Sequence, residues 1–309
     1  MLAIVDMDVS CYQACESRWK QRCEGQNRII ALDEDGEREA LEFTHEEDTK
    51  YLRQCWNRLE SDLGKLLDNV YATDYLAAVK GPDNFRNILY PEYKMNRHKD
   101  LSKSNLFVPI LRKLAVKGEL AVESTGREAD DLIRIWAEEA RAANKDFIVC
   151  SIDKDLDCIP GLHYRMHLDG RAQDRRIIDI TEDYATRFYY EQLLKGDPTD
   201  NIPGVPRVGD VKASKIIKKC TNEENMQEAV VEQYVNAYGP DDWYDYLLSN
   251  GKMIYLQKHM NDYFYCLDWP IVQELLGYEE SENPEYHTES LIIQPTPITN
   301  TFNFRIPGR

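Results

Sequence analysis

The sequence predicts an α/β fold with a largely parallel central sheet flanked by helices. Three observations point to it. Short apolar runs of strand length alternate with longer stretches whose apolar residues recur at helical spacing. No internal repeat interrupts the alternation. Acidic residues stand repeatedly at the carboxyl ends of the apolar runs, where open α/β sheets bind their ligands.

The elements follow in order. Residues 2–5 (LAIV) form a buried strand that ends at Asp6. Residues 28–32 and 37–43 read as a hairpin around an Asp-Glu-Asp-Gly turn. Thr44 can cap a helix that runs to about Asn69. A second strand at 75–79 meets a Gly-Pro turn, and helical pieces follow around 105–117. A third strand covers 119–122. Glu128–Ala143 is helical, with apolar residues at 129, 132, 133, 136 and 137. A fourth strand spans Asp146–Ile152, and residues 163–168 pair with 175–180 around Asp169-Gly170. Thr181–Lys195 is a helix, and a Pro- and Gly-rich stretch then leads into a lysine-rich helix at 210–219. Beyond 222 the chain reads as mostly helical to about Tyr265, with a Pro-rich tail from 270 that wraps the surface.

A chain of 309 residues suits one large domain or two modest ones. With 42% hydrophobic and 30% charged residues it reads as a soluble globular protein. No run of 18 apolar residues is present, which excludes a membrane-spanning helix. The N-terminal apolar run is short and lacks a basic flank, so a signal peptide is not expected and the cytoplasm is. The eight cysteines form no CxxC pair and have no zinc-finger spacing, which leaves them as reduced structural residues.

A net charge of −17 argues against a polyanionic partner, but the distribution outweighs the sum. Residues 84–118 hold eight Lys or Arg against two acids, and residues 205–219 hold five against one. Two such islands in an acidic chain suit contact with nucleic acid.

The acids form four sets. Asp6 and Asp8 follow the first strand, and Asp153 and Asp155 follow the fourth. Glu128, Asp130 and Asp131 open the helix after the third strand, and Asp197 and Asp200 follow the 181–195 helix. Glu128 and Asp131, at i and i+3, can share a helix face, as can Asp197 and Asp200. Like charges a few Å apart repel by several kcal/mol at an effective dielectric of ~20, so either their pKa values rise or a cation settles among them. Oxygen donors select Mg²⁺ or Mn²⁺, and two ions about 4 Å apart suit phosphodiester displacement. Any single pair can be an ordinary helix cap; four sets at sheet-end positions are harder to explain so.

The basic islands complete the picture. The segment after the second strand brings Arg86, Lys94 and Arg97 to the same sheet edge, suited to a scissile phosphate. Tyr90, Tyr93 and Phe107 interleave with these cations and offer rings for stacking on unpaired bases. Lys212, Lys215 and Lys219 fall along one helix face, an arrangement for tracking phosphates.

These residues carry a resemblance. The stretches IVDMD (4–8), FRNILYPEYKMNR (85–97), EADD (128–131), SIDKDLD (151–157) and GDPTDNIPGVPRVGDVKA (196–213) resemble those of the phage and bacterial 5′ nucleases, the flap endonuclease and 5′–3′ exonuclease superfamily, and look closest to the phage-encoded exonucleases. The resemblance spans roughly residues 1–220. It implies a metal-nuclease core at 1–195, with an insertion at 16–60 and a basic helical arch at 84–118. Residues 196–309 would then hold a DNA-gripping helix–three-turn–helix and a helical C-terminal part.

It further implies that Asp6, Glu128, Asp130 and Asp131 hold one metal region and Asp153, Asp155, Asp197 and Asp200 a second, with Asp8 alongside. Lys94 and Arg97, assisted by Arg86, would act on the scissile phosphate. Val205 and Val208 would lend carbonyls to K⁺ in the 203–209 loop, and Tyr93, Arg207 and the three lysines would contact DNA. Cleavage would leave 5′ phosphates, and replication proteins are natural partners.

Two departures stand out. The aspartate expected at the end of the second strand is missing, and Asp83 is the nearest acid. Arg207 stands where the gripping loop usually has glycine. Two rival readings therefore remain: a DNA-binding protein of this fold with impaired catalysis, and a ribonuclease of the related smaller fold.

Overall fold

The structure, a computed structural model, describes residues 1–15, 45–95, 107–166 and 177–277. The hairpin expected at 28–43 and the middle of the basic arch, residues 96–106 with Arg97, lie outside these residues.

A six-stranded sheet organises the first part of the chain. In chain order its strands are β1 (Leu2–Asp6), β2 (Asp74–Val79), β3 (Val122–Glu123), β4 (Phe147–Ser151), β5 (Gly161–Arg165) and β6 (Ile177–Ile180). Their spatial order is β3-β2-β1-β4-β5-β6, and every pairing is parallel except the antiparallel β5–β6 hairpin. The direction of winding reverses between β1 and β4, so a crevice opens beyond their carboxyl ends.

The central strands are apolar on both faces because both are covered. Ala3, Val5, Ala77, Val79, Ile148 and Cys150 pack against a helix at residues 7–15 (α1), α2 (His45–Asn69) and α4 (Val108–Lys117). Leu2, Ile4, Ala78 and Val149 pack on the opposite side against Leu132, Ile133 and Trp136 of α5 (Ala129–Ala142). The short α3 (Phe85–Leu89) lies between β2 and α4 in the chain, capped by Asn84.

A second core gathers α6 (Glu182–Lys195), α7 (Asp210–Ile217), α8 (Glu223–Ile254) and α9 (Pro270–Leu276) around Leu193, Tyr234, Leu247 and Trp269. Tyr189 of α6 packs against this core and also against the α5 side of the sheet. Among the described residues no helix is long and apolar enough to cross a membrane.

Three expectations need correction. The third strand starts at Val122 instead of 119, because Glu119 is left-handed (φ 57°) and the Leu120 amide still bonds to Ala115 of the preceding helix. The helix past 222 kinks at Gly239-Pro240 and stops at Ile254, so 255–265 is not helical. The carbonyls of Met253 and Tyr255 turn to Arg86 instead. Residues 270–276 form α9, with Pro270 at its first turn and Val272 buried, where a surface tail was expected.

Candidate active site

The crevice beyond β1 and β4 is lined by Tyr93, Lys94, Glu128, Asp130, Asp153, Asp155, Gln192, Asp197 and Asp200. Each acid arrives by a local device. Asp6 ends β1 and is buried; Ser151, the last residue of β4, donates to its Oδ2 at 2.8 Å. The Asp153 amide donates to Ser151 Oγ (3.0 Å), and the Asp155 amide to Asp153 Oδ1 (2.9 Å), which folds the turn after β4 back on itself. Gln192 of α6 donates to Asp155 Oδ1 at 2.8 Å. Asp197 caps a single 3₁₀ turn, Pro198–Asp200, and that turn buries Asp200.

The electrostatics match a site short of positive charge. Burial, with Asp8 and Asp153 nearby, raises the Asp6 pKa to about 6. Burial likewise raises Asp155 to about 6, with Asp153, Asp197 and Asp200 adding repulsion. Asp130 is pushed well above the usual carboxylate range by burial and by Asp6, Glu128 and Asp153. Glu128 goes the other way. Burial opposes its ionisation, but the Arg86 and Lys94 charges and hydrogen bonds from Lys94 and Tyr93 outweigh it and lower its pKa.

Lys94 is the cation at the centre. It adopts φ 61°, its amide donates to the Asp200 carbonyl at 2.9 Å, and its ammonium bonds to Glu128 and lies 3.5 Å from Asp200 Oδ2. The Tyr93 hydroxyl lies 2.9 Å from Glu128 Oε2 and 3.3 Å from Asp200 Oδ2, and its single proton can serve one at a time.

Hard oxygen donors with raised pKa values fit a divalent cation in chemistry and in charge. Among the described residues, however, no three acids stand as a closed cage. Ser151, Gln192, Lys94 and Tyr93 occupy their oxygens instead.

Several expected residues stand elsewhere. Asp131 points away from the crevice and pairs with Arg86, both fully buried, at 2.7 and 2.9 Å. Arg86 thus has no face toward a phosphate. The i, i+3 relation of Glu128 and Asp131 is a reciprocal capping box, and Asp130 is the residue that faces the acids. Asp8 accepts from the Lys80 amide at 3.1 Å and pairs with Arg112 at 2.6 Å. Asp83 is exposed and accepts from the Gly126 amide at 3.0 Å, and it is not among the residues that line the crevice. The end of β2 carries Lys80, a cation among Lys94, Glu128 and Arg112. Tyr93 and Phe107 are buried, Phe107 against Tyr51, and neither presents a free ring.

The sequence reading missed Ser151, Gln192 and the cleft-lining Met253, Ile254 and Leu256. Ser151 had a signal, since it precedes Asp153 in the strand-end motif; the others had none.

The second basic island is a tight loop. A Cβ on Gly204 would lie 2.3 Å from the Gly196 nitrogen, so two backbone segments cross there as only glycine allows. Tyr238 donates to the Gly204 carbonyl at 2.9 Å. Val205 and Val208 are buried, and Val208 N–H donates to the Val205 carbonyl at 3.1 Å. Arg207 is exposed and left-handed at φ 62°, and Lys212, Lys215 and Lys219 are exposed on or just past α7.

Residues 44–172 match the family model of the 5′-3′ exonuclease N-terminal resolvase-like domain. A 5′-3′ exonuclease of Buchnera aphidicola is 31% identical over 151 residues, covering 46% of this chain and 51% of that protein. DNA polymerase I of Rhizobium leguminosarum is 28% identical over 152 residues, covering 48% of this chain and 15% of the polymerase. The chain thus spans about half the length, or less, of these relatives. A 5′-3′ exonuclease of Mycoplasma genitalium is 24% identical over 81% of this chain and 80% of its own. The T5 D15 protein, co-crystallised with metal ions, shares the fold with a TM-score of 0.52 at 16% identity, covering 89% of this chain and 95% of that one. Over residues 44–172, then, the chain is similar to the N-terminal resolvase-like domain of 5′-3′ exonucleases.

Proposed function

We propose that this protein is a divalent-metal-dependent 5′ nuclease that hydrolyses DNA phosphodiesters at or near 5′ ends, nicks or flaps and leaves 5′ phosphates. The observation that carries this reading is the crevice itself, where acids from three elements meet Lys94 at the winding reversal of the sheet. Asp6, Glu128 and Asp130 would hold one region of metal and Asp153, Asp155, Asp197 and Asp200 another, with Mg²⁺ or Mn²⁺ in about two sites. Bound there, the metal would activate water and offset phosphate charge. Lys94, released from Glu128 and Asp200, would bind the scissile phosphate, with Arg97 beside it. Asp8, paired with Arg112 and bound by the Lys80 amide, would flank the Asp6 metal region.

Arg207 and the lysines of the second island would track duplex phosphates without reading sequence. The left-handed turn at Arg207 supports a K⁺ loop using the Val205 and Val208 carbonyls. The parts would divide into a nuclease core at 1–195 and a DNA-gripping part from 196, working in the cytoplasm with replication proteins. Lys80 at the end of β2 favours one second reading, a DNA-binding protein with impaired catalysis. The gripping loop argues against a ribonuclease of the smaller fold.

The test uses 5′-flapped, nicked and blunt duplexes with Mg²⁺ or EDTA. Mg²⁺-dependent 5′-phosphorylated products are expected, and binding without cleavage would favour the second reading. Asp153→Asn should abolish cleavage and spare binding. Lys94→Ala should slow single-turnover cleavage at least ~10²-fold, and a normal rate would remove Lys94 from the chemistry.

A further inference from the structure

We infer that Arg86 and Asp131 form a buried positioning clamp, outside the reacting surface, which joins the acid-bearing start of α5 to the 253–257 strap that lines the crevice. The inference rests on reading that crevice as the metal site, and it departs from the role the family resemblance gives Asp131.

Hydrogen-bond capacity decides the matter. An ionised aspartate offers about four acceptor positions. Asp131 Oδ1 accepts from Arg86 Nη2 at 2.9 Å and from the Gln257 amide at 3.1 Å. Its Oδ2 accepts from Arg86 Nη1 at 2.7 Å and from the Glu128 amide at 2.9 Å. All four positions are taken, so a metal could bind Asp131 only by breaking part of this set. Both side chains are 0% exposed, so neither reaches a substrate as the structure stands.

The remaining donors of Arg86 show what the clamp joins. Its Nε donates to the Met253 carbonyl at 2.8 Å, and its Nη2 to the Tyr255 carbonyl at 2.6 Å. Gln257 closes the other side, its Oε1 accepting from Arg127 Nη1 at 2.9 Å. The strap between these anchors brings Met253, Ile254 and Leu256 into the wall of the crevice that Glu128 and Asp130 also line. Arg86 Nη1 also lies 3.8 Å from Glu128 Oε2. One guanidinium therefore sets the α5 start, the Glu128 carboxylate and the strap relative to one another. The C-terminal part of the chain thus becomes a wall of the site.

Hydrogen exchange on the intact chain tests this without any substitution. On adding saturating Mg²⁺ to metal-free protein, the Glu128 and Gln257 amides should keep or gain protection. A tenfold faster exchange at either amide would mean that Asp131 leaves the clamp for the metal, and would overturn the proposal. Calorimetry on variants supplies the second arm. Asp130→Asn should weaken Mg²⁺ binding at least tenfold and keep the melting temperature. The apolar pair Arg86→Met with Asp131→Leu should fold, because removing both buried charges together leaves neither unpaired. It should nonetheless bind Mg²⁺ at least tenfold more weakly, since the strap and α5 lose their shared anchor. Native affinity in the folded pair would overturn the positioning role. If the pair fails to fold, the exchange result decides. Absence of cleavage by the unmodified chain would refute the proposed activity without moving either readout, so the two failures are distinguishable.

Discussion

Burial, more than any other cause, pushes the pKa of both Asp6 and Asp155 up to about 6. A folded-state pKa above the ordinary value of 3.8 means that the neutral form is favoured by folding. The stabilisation is therefore complete below about pH 4 and is lost as pH rises through about 6. For buried Asp6 the shift corresponds to about 3 kcal/mol. Divalent metal requires the ionised form, so it should restore stability just where the metal-free protein loses it. The rise in melting temperature on adding Mg²⁺ should be small at pH 5 and grow to a plateau above pH 7. An increment that does not change from pH 5 to 8 would separate these two acids from the metal. At this scale the sequence was legible in part. Strand ends marked Asp6, Asp153 and Asp155; Asp153 and Asp155 line the crevice, and Asp6 is buried within electrostatic reach of Asp153. The i, i+3 spacing of Glu128 and Asp131 identified a helix start correctly but not a ligand pair, because capping and ligation use the same residue types at the same spacing. The roles of Arg86 and Tyr93 were hidden, because they depend on burial by Met253, Tyr255 and Asp200, which are distant in the chain.

Among the elements, periodic apolar residues and local caps made α5, α6 and β4 readable to within a residue or two. The stretch 255–265 was misread because its fate is set by Arg86 and Asp131, more than 120 residues away in sequence. The loop into α7 lies between these cases. Its glycines announced close backbone approach, and Gly196 and Gly204 make one. Arg207 was an anomaly in the sequence and remains one in the structure, held at φ 62° where a side chain costs about 1–2 kcal/mol. Arg207→Gly should relieve that strain and raise stability by up to about 1 kcal/mol after the entropy of the added glycine. If the arginine touches phosphate, the same change should weaken duplex binding and lower the slope of log affinity against log salt by about 0.9. Denaturant midpoints and salt titrations read the two effects separately. A loss of stability would mean that the Arg207 side chain contributes more than its backbone strain removes.

For the whole molecule, the alternation of strands and helices announced a parallel sheet, but it could not give the order β3-β2-β1-β4-β5-β6. That order puts the winding reversal between β1 and β4, and α6 then bridges the sheet to the helical core, so that acids from both ends of the chain's first 200 residues meet. The same scale poses an electrostatic question. The chain carries −17 overall, yet the proposed substrate is a polyanion and the contacts proposed for it are cations on local surfaces. Which charge DNA feels depends on distance. At 0.01 M salt the screening length is about 30 Å, comparable with the molecule, and the net negative charge acts against approach. At 0.1 M it falls to about 10 Å, so that DNA senses the basic island around α7 and little else. Further salt then weakens those contacts by counterion competition. The association rate for flapped DNA should therefore pass through a maximum as salt rises from 10 to 300 mM, where a protein with a net positive charge would slow steadily. Stopped-flow binding of a labelled duplex in EDTA, which removes cleavage, measures this directly. Lys212→Ala should lower the high-salt limb and leave the low-salt limb nearly unchanged, because one charge in −17 alters the far field little. A steady decline from 10 mM upward would mean that the basic face dominates at every distance, and that the acidic charge is turned away from the approach path.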